Sequence, residues 1–380
     1  MTPLAAARES SPIAAAHGLA ATIAARAAET ERARHLPADL AARIAGAGLF
    51  RMTIPRRLGG SETPPADFLT ALEILSEADA ATGWCAMIAN TTALAAAWLP
   101  AHHADAIFAD PHVITGGVFA PFGTAIPDGN DYLVSGRWAW ASGSANCQWL
   151  VGGAVIAGTG VHRMMVMPAS EITLIDTWDS MGLRGTGSGD MAAENVRVPR
   201  DRSVSFLADT AQAPGPLYAF PPFGLLALGI AAVASGNALA ALADFRTLAT
   251  AKKAAGSSRT LAERGTVQAE YAKAEAHLHA ARALAEASVA KAWHDAQTGA
   301  LGLDIRARLR LAATHLTRTA ADVTRTVYDL AGGTAVYASH PLQRRFRDAH
   351  VATQHMMIAP PTWELAGRVL LGLPTDSALL

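Results

Sequence analysis

The sequence predicts an α+β protein, mostly α-helical, in which a β-rich segment separates two helical regions. Its 380 residues exceed what one hydrophobic core usually organises. Apolar residues recur at helical spacing in the first and last parts of the chain, whereas the middle part alternates apolar and polar residues between turns. We therefore expect an N-terminal helical domain at residues 1–112, a central β-domain at 113–208 and a C-terminal helical bundle at 209–380.

Helical patterns fill the N-terminal region. Its opening stretch, Met1 to Arg34, is rich in alanine and arginine, but glutamates interrupt it and no continuous apolar core precedes a cleavage-like site. That composition indicates a first helix and not a signal peptide. The next stretch, "PADLAARIAGAGLF", repeats apolar residues every three or four positions, and a proline-rich entry then leads into a long apolar helical segment.

Short strands account for the central region. The segments "DGNDYLVSGRWAWAS" and "CQWLVGGAVIAG" alternate with period two and lie between turn-forming residues. Met164, Met165 and Met167 fall in a further strand pattern, and we expect them to fill the core. The whole pattern is typical of a small barrel or sandwich.

The third region begins with a long uncharged segment. Between Asp209 and Asp244 the chain has no charged residue, and the apolar run from Phe223 to Ala243 is long enough to span a bilayer. Polar Ser235, several glycines and the lack of basic or aromatic flanks favour a buried core helix instead. Long amphipathic stretches after it predict further helices of a bundle.

Charge and cysteine content exclude several functions. With 31 basic and 32 acidic residues the net charge is −1, which argues against nucleic-acid or membrane partners. The two cysteines, Cys85 and Cys147, suit neither a disulfide framework nor zinc, so a cytoplasmic location is expected. The paired histidines, such as His102 and His103, lack carboxylate or cysteine partners at metal-ligand spacing, and we predict no metal site.

Three stretches of the chain carry distinctive motifs: "SGRWAWASGSANCQWLV", "MGLRGTGSGDMAAENVRVP" and "YDLAGGTAVYASHPLQRRFRDAHVATQH". In their order and separations they resemble the acyl-CoA dehydrogenase superfamily, and the resemblance covers nearly the whole chain. The resemblance implies an N-terminal helical domain, a central β-barrel or sandwich and a C-terminal four-helix bundle. It also implies a flavin between the last two, and a homotetramer in which a neighbouring subunit completes the flavin site.

The last of these stretches separates two branches of the family. Many dehydrogenases carry a catalytic glutamate eight positions after the aspartate of "RD", but here, after Arg347 and Asp348, that position is Met356, which cannot take a proton. The pattern with His350 and His355 resembles the two-component flavin-dependent monooxygenases. Such enzymes use molecular oxygen and reduced flavin, FADH2 or FMNH2, that a separate NAD(P)H-dependent flavin reductase supplies.

Two catalytic residues follow from this resemblance. His355 would lie at the flavin edge where a hydroperoxide forms, and an imidazole with an ordinary pKa near 6.5 can donate or accept a proton there. Ser142 would hydrogen-bond to the peroxide or to flavin N5. A histidine bonded in a helical core, and a simple turn serine, are the alternative interpretations.

The resemblance also implies residues that bind the cofactor and the substrate. The expected flavin-binding residues are Trp140, Ser142, Arg184, Ser257, Ser258, Arg259, Gly332 and Gly333. A solvated loop explains Ser257 to Arg259 equally well, and turn formation explains the glycines. Substrate contacts are expected from Trp84, Asn90 and Thr92, where Thr92 occupies the position at which several aromatic hydroxylases carry a histidine.

We therefore predict a two-component monooxygenase that oxygenates a small aromatic or heteroatom-containing molecule. An acyl-thioester or other flavin-linked dehydrogenase, and a non-catalytic flavin-fold binding protein, remain as alternatives. The sequence does not distinguish FAD from FMN.

Overall fold

The computed structural model describes residues 11–253 and 256–380. Residues 1–10, with which the predicted first helix and N-terminal domain begin, lie outside the described residues. The first helices are α1 (Pro12–Ala33), α2 (Ala38–Gly46), α3 (Pro65–Ala78), α4 (Ala80–Ala93) and α5 (Ala101–Phe108). The strands are β1 (Thr115–Asp128), β2 (Asp131–Trp138), β3 (Trp149–Ile156), β4 (His162–Pro168), β5 (Thr173–Ile175), β6 (Asp190–Pro199) and β7 (Ser203–Val204). The last helices are α6 (Pro216–Ala219), α7 (Pro222–Ala251), α8 (Gly265–Thr298), α9 (Leu303–Ala331), α10 (Pro341–Ala352) and α11 (Pro361–Leu370).

Helix α4 starts at a sharp break after α3. Asp79 is extended, with φ of −158°, and its carboxylate accepts hydrogen bonds from the backbone N–H of Thr82 at 2.9 Å and from the Thr82 hydroxyl at 2.8 Å. This N-cap occupies backbone donors that have no partner inside the helix. All fourteen residues of α4 are buried, so the helix is held on every side.

The seven strands form one sheet in the order β5-β6-β2-β1-β3-β4-β7. Strands β1 and β3 are parallel, and the other neighbours are antiparallel. The register of β1 against β3 shifts between Val118 and Gly123, so that residues 119–122 leave the ladder as a bulge. A bulge bends its strand and redirects its side chains. This one supplies part of the wall of the cavity described below.

The sheet curls around the fully buried side chain of Trp138. Side chains from β1, β2, β3, β4 and β6 pack in one cluster with this indole, whose Nε1 donates to the Gly153 carbonyl at 2.7 Å. A Cβ on Gly123 or Gly152 would lie within 3 Å of the indole, so the lack of a side chain at both positions leaves room for the Trp138 ring. Met165 and Met167 are fully buried here, which confirms the predicted core role.

Helix α7 is the central helix of the last bundle. Its mean hydropathy over an 18-residue window is 2.0, high enough for a membrane span, but 94% of that window is buried inside the protein. The helix packs against α3, α4, α9 and α10. The predicted buried core helix is therefore confirmed, and with it the mostly helical fold class around a central sheet.

Hydrogen bonds join α10 to the rest of the molecule. Asn237 of α7 donates to the Arg345 carbonyl at 2.8 Å, and Arg345 donates to the Glu77 carbonyl at 2.9 Å. The Asp348 carboxyl accepts from the Leu183 backbone N–H at 2.6 Å, and burial raises the pKa of Asp348 to about 7. Asp348 of the "RD" motif thus joins α10 to the loop between β5 and β6, which contains Leu183.

Candidate active site

A cavity of about 590 Å³ lies where the sheet, α4, the start of α7 and the turn after α10 meet. This volume falls within the range of about 300–1,000 Å³ that is usual for small-molecule sites. The wall includes the predicted residues Trp84, Trp140, Ser142 and His355. The structure therefore brings together residues from three separate parts of the sequence.

A chain of hydrogen-bonded hydroxyl groups lines one side of the cavity. Trp84 Nε1 donates to Ser142 Oγ at 3.1 Å, and Ser142 Oγ lies 2.6 Å from Ser188 Oγ. Ser188 Oγ lies 2.6 Å from Thr186 Oγ1, which donates to the Leu183 carbonyl at 2.8 Å. These hydroxyls are almost completely buried, so water contributes little to their hydrogen bonding.

His355 follows α10 and faces the same cavity. Its Nδ1 accepts the backbone N–H of Met357 at 3.2 Å, so the proton of the neutral ring sits on Nε2. Burial, assisted by the nearby charge of Arg310, lowers the pKa of His355 to about 4. The imidazole is therefore neutral at pH 7 and offers a hydrogen-bond donor at Nε2. Its ring lies edge-on to Trp84, with 5.8 Å between the centroids.

Strained and exposed residues also mark this cavity. Trp140 and Leu183 have positive φ angles of 67° and 50°, which non-glycine residues rarely adopt, and both line the wall. Trp140 is 64% exposed and Met356 is 60% exposed, although both carry large apolar side chains. Backbone strain and exposed apolar surface concentrate at ligand sites. These features indicate a surface for an apolar, planar ligand.

Three phenylalanines form another part of the wall. Phe119 lies in the β1 bulge, Phe206 follows β7 and Phe223 opens α7. Their ring centroids are 5.9 to 6.4 Å apart, with tilted or T-shaped planes. Such an arrangement offers ring faces and edges to a flat aromatic guest.

The cavity has little net charge. Among the residues that the structure describes, Arg163 is the one charged side chain in its lining. Its guanidinium bonds Asp209 at 2.7 and 3.1 Å and the Ser203 hydroxyl at 2.8 Å, so its charge is compensated. His162 also lines the cavity, and burial lowers its pKa, which keeps it neutral.

Two predicted substrate-binding residues, Asn90 and Thr92, are not among the residues that line the cavity, and their contact with a substrate stays a prediction. Asn90 accepts the Met52 backbone N–H at 2.7 Å and donates to the carbonyls of Leu49 and Ala86 at 2.8 Å. Thr92 bonds the Thr115 hydroxyl at 2.8 Å and is 1% exposed. Both side chains are used in holding α4 to its neighbours.

The remaining predicted flavin-binding residues lie outside the lining of this cavity in the single chain. Arg184 bonds the Asp179 carboxylate at 3.2 Å and the Ser180 carbonyl at 2.8 Å. Ser258 and Arg259 are exposed in the loop after α7, close to Ser257, and Gly332 and Gly333 are exposed at the end of α9. Contacts from these residues to a flavin stay predictions.

Sequence reasoning missed Ser188, Thr186 and the three phenylalanines. The hydroxyl residues stand in the quoted motif "RGTGSGD", where their spacing was a usable signal. It also missed a carboxylate at the paired histidines: Asp201 lies 2.8 Å from His103 Nε2 and 3.4 Å from His102 Nε2. Asp201 follows His103 by 98 residues, so no local spacing in the sequence could reveal this partner.

Comparisons with known proteins agree with this geometry. The chain matches the acyl-CoA dehydrogenase N-terminal domain over residues 14–103 and the C-terminal domain over residues 228–360. It is 33% identical to the indole-3-acetate monooxygenase of Pseudomonas putida, with 92% of this chain and 90% of the relative covered. It is 30% identical to the oxygenase component of the FADH(2)-dependent resorcinol hydroxylase of Rhizobium sp., with 93% and 91% covered. The crystal structure of 3-HSA hydroxylase from Rhodococcus sp. has a TM-score of 0.91, with 26% identity and 98% and 99% covered.

The helix–sheet–helix architecture and the cavity at its junction define an acyl-CoA dehydrogenase-like flavoprotein, and Met356 stands where many dehydrogenases carry a glutamate. This chain belongs to the flavin-dependent monooxygenases of that superfamily, among the oxygenase components of two-component systems. The predicted family and the predicted use of reduced flavin are confirmed.

The residues of the cavity fit a flavin ring. An isoalloxazine is planar and largely apolar, with hydrogen-bonding atoms along part of its edge. The exposed indole of Trp140 offers an apolar surface to the planar ring. Ser142 and the Nε2–H of His355 offer hydrogen-bonding groups to its polar edge. In the part of the wall that the structure describes, the charge of Arg163 is paired with Asp209.

Proposed function

We propose that this chain oxygenates an uncharged aromatic molecule with molecular oxygen and reduced flavin. Reduced flavin, when bound, supplies the electrons that activate oxygen. The chain's own contribution is to place His355 and Ser142 at the reacting edge and to keep water out of the apolar cavity. In this proposal His355 donates a hydrogen bond from Nε2 at the reacting edge, and Ser142 forms a hydrogen bond there through Oγ.

The preference for an uncharged substrate rests on the electrostatics of the wall. Arg163 is already paired with Asp209, and His162 and His355 are neutral. A substrate carboxylate would thus lose its hydration without gaining a free cation, which is costly in an apolar cavity. Tilted phenylalanine rings favour a flat aromatic ring instead.

The proposal includes a partner, an assembly and a location. A separate NAD(P)H-dependent flavin reductase supplies the reduced flavin, and the enzyme acts in the cytoplasm. A homotetramer brings the exposed loops with Arg259 and Gly332 of neighbouring subunits to each flavin. This arrangement gives a role to predicted residues that do not line the cavity of their own chain.

A matched pair of compounds tests the substrate class. Indole-3-acetate and indole-3-acetamide share one ring system and differ by a charge, and one of the relatives is an indole-3-acetate monooxygenase. The assay contains a flavin reductase, NADH and FAD or FMN. We expect the kcat/KM for the amide to be at least tenfold higher than the kcat/KM for the carboxylate, a difference that corresponds to about 1.4 kcal/mol. Preference for the carboxylate would refute the uncharged-substrate proposal.

A further inference from the structure

The hydroxyl chain beside the cavity has a defined direction. The Leu183 carbonyl can only accept, so the Thr186 hydroxyl donates to it and has no other proton. Thr186 Oγ1 must then accept the proton of Ser188. Ser188 Oγ in turn accepts the proton of Ser142. The direction of every bond follows from the one fixed acceptor at the end.

Ser142 therefore offers an acceptor, and no donor, to a ligand. Its single proton is used toward Ser188, and one lone pair receives the Trp84 Nε1–H, which can only donate. A second lone pair remains for the cavity. His355 offers the opposite group, the Nε2–H. One polar edge of the cavity thus carries an acceptor and a donor in fixed roles.

A flavin changes its hydrogen-bonding character at N5 when it is reduced. Reduced flavin has a proton on N5 and can donate, whereas N5 of oxidised flavin has none and can only accept. We infer that the Thr186–Ser188–Ser142 chain makes this protein select reduced over oxidised flavin, with Thr186 and Ser188 as positioning residues. The inference rests on the proposed function, because it requires the flavin edge to meet Ser142.

Reversing the direction of the hydrogen bonds between these hydroxyls would remove the preference for reduced flavin. If Thr186 no longer anchored the far end, the Ser188 proton could turn to Ser142, and the Ser142 proton would be free to point into the cavity. Ser142 would then donate to oxidised N5 as readily as it accepts from reduced N5. The expected loss of selectivity is roughly five- to tenfold, the usual net worth of one hydrogen bond expressed as affinity.

Anaerobic titration of flavin-free protein with reduced and with oxidised flavin tests the inference. Wild-type protein should bind reduced flavin more tightly, and Thr186→Val should lower the ratio of the two affinities roughly five- to tenfold. Ser188→Ala should lower it likewise, since it also frees the Ser142 proton. Thr186→Ser, which keeps the hydroxyl, should have the wild-type ratio of the two affinities.

Thr324→Val is the matched control. Thr324 is equally buried, but it bonds the Ala320 carbonyl within α9 and does not line the cavity, so this variant should keep the wild-type ratio. Circular dichroism and thermal unfolding show whether each variant is folded. If Thr186→Val and Ser188→Ala lower both affinities but leave their ratio unchanged, the hydroxyls are only structural and the inference is overturned. If wild-type protein binds neither flavin form, the proposed function itself is overturned.

Discussion

The backbone N–H of Met357 donates to His355 Nδ1 at 3.2 Å, and this bond decides which ring nitrogen carries the proton. An imidazole that accepts at Nδ1 and has a pKa of about 4 is a donor at Nε2 near pH 7. From the sequence, proton donation and proton acceptance were equally open. The structure favours hydrogen-bond donation from Nε2 over transfer of a proton in either direction, because the neutral ring keeps its proton on Nε2 and has no free lone pair there.

Replacing His355 tests this role. We expect His355→Ala to lower product formation by a factor of roughly 10² while flavin affinity changes far less. His355→Gln should recover part of the loss, because an amide can donate a hydrogen bond but cannot shuttle a proton at neutral pH. Steady-state product formation with parallel flavin titrations measures both effects. A wild-type rate with His355→Ala would place His355 in the core and outside the chemistry.

The lowered pKa of His355 also predicts a pH dependence of stability. Between about 6.5 and about 4 the unfolded chain binds a proton on this ring and the folded chain does not, so the folded state loses stability as the pH falls. His355→Gln lacks this contribution. Urea unfolding at pH 8 and pH 5 should show the wild-type protein losing more stability than the variant. An equal loss in both proteins would contradict the lowered pKa.

Ser142→Ala should affect coupling more than folding. Removing one buried hydroxyl leaves Trp84 Nε1 without its acceptor, a modest cost, but it also removes the acceptor at the flavin edge. We expect more hydrogen peroxide released per flavin oxidised and less product. Parallel assays of peroxide and product measure this partition. Unchanged coupling would remove Ser142 from the reacting edge.

Asn90→Ala tests whether the Asn90 side chain stabilises the fold or contacts the substrate. The change leaves the Met52 N–H and the Leu49 carbonyl without their hydrogen-bond partner in the interior, and we expect a loss of about 2–3 kcal/mol in the free energy of unfolding. The folded fraction should keep the wild-type KM for the substrate. A raised KM with unchanged stability would place Asn90 at the substrate site.

Parts of this site could be predicted from sequence because their signals are local. The fixed spacing after "RD" identified His355, and the uncharged run around Ser235 identified the core helix. A count along α4 does not show which face of the helix Asn90 occupies. It lies roughly 120° around the helix from Trp84, and every residue of α4 is buried, so no polar side marks the cavity. Phe119 and Phe206 meet only through a bulge and a loop, which no local pattern predicts.

We propose that this chain activates molecular oxygen with reduced flavin and inserts one oxygen atom into an aromatic substrate. Isotopically labelled oxygen gas tests this proposal, with the purified chain, reduced flavin, indole-3-acetamide and mass spectrometry of the product. We predict one labelled oxygen atom in each product molecule, and roughly 10²-fold less labelled product with His355→Ala. Product oxygen that comes from water, or bleaching of the oxidised flavin by an acyl thioester without oxygenation, would contradict this oxygenase activity.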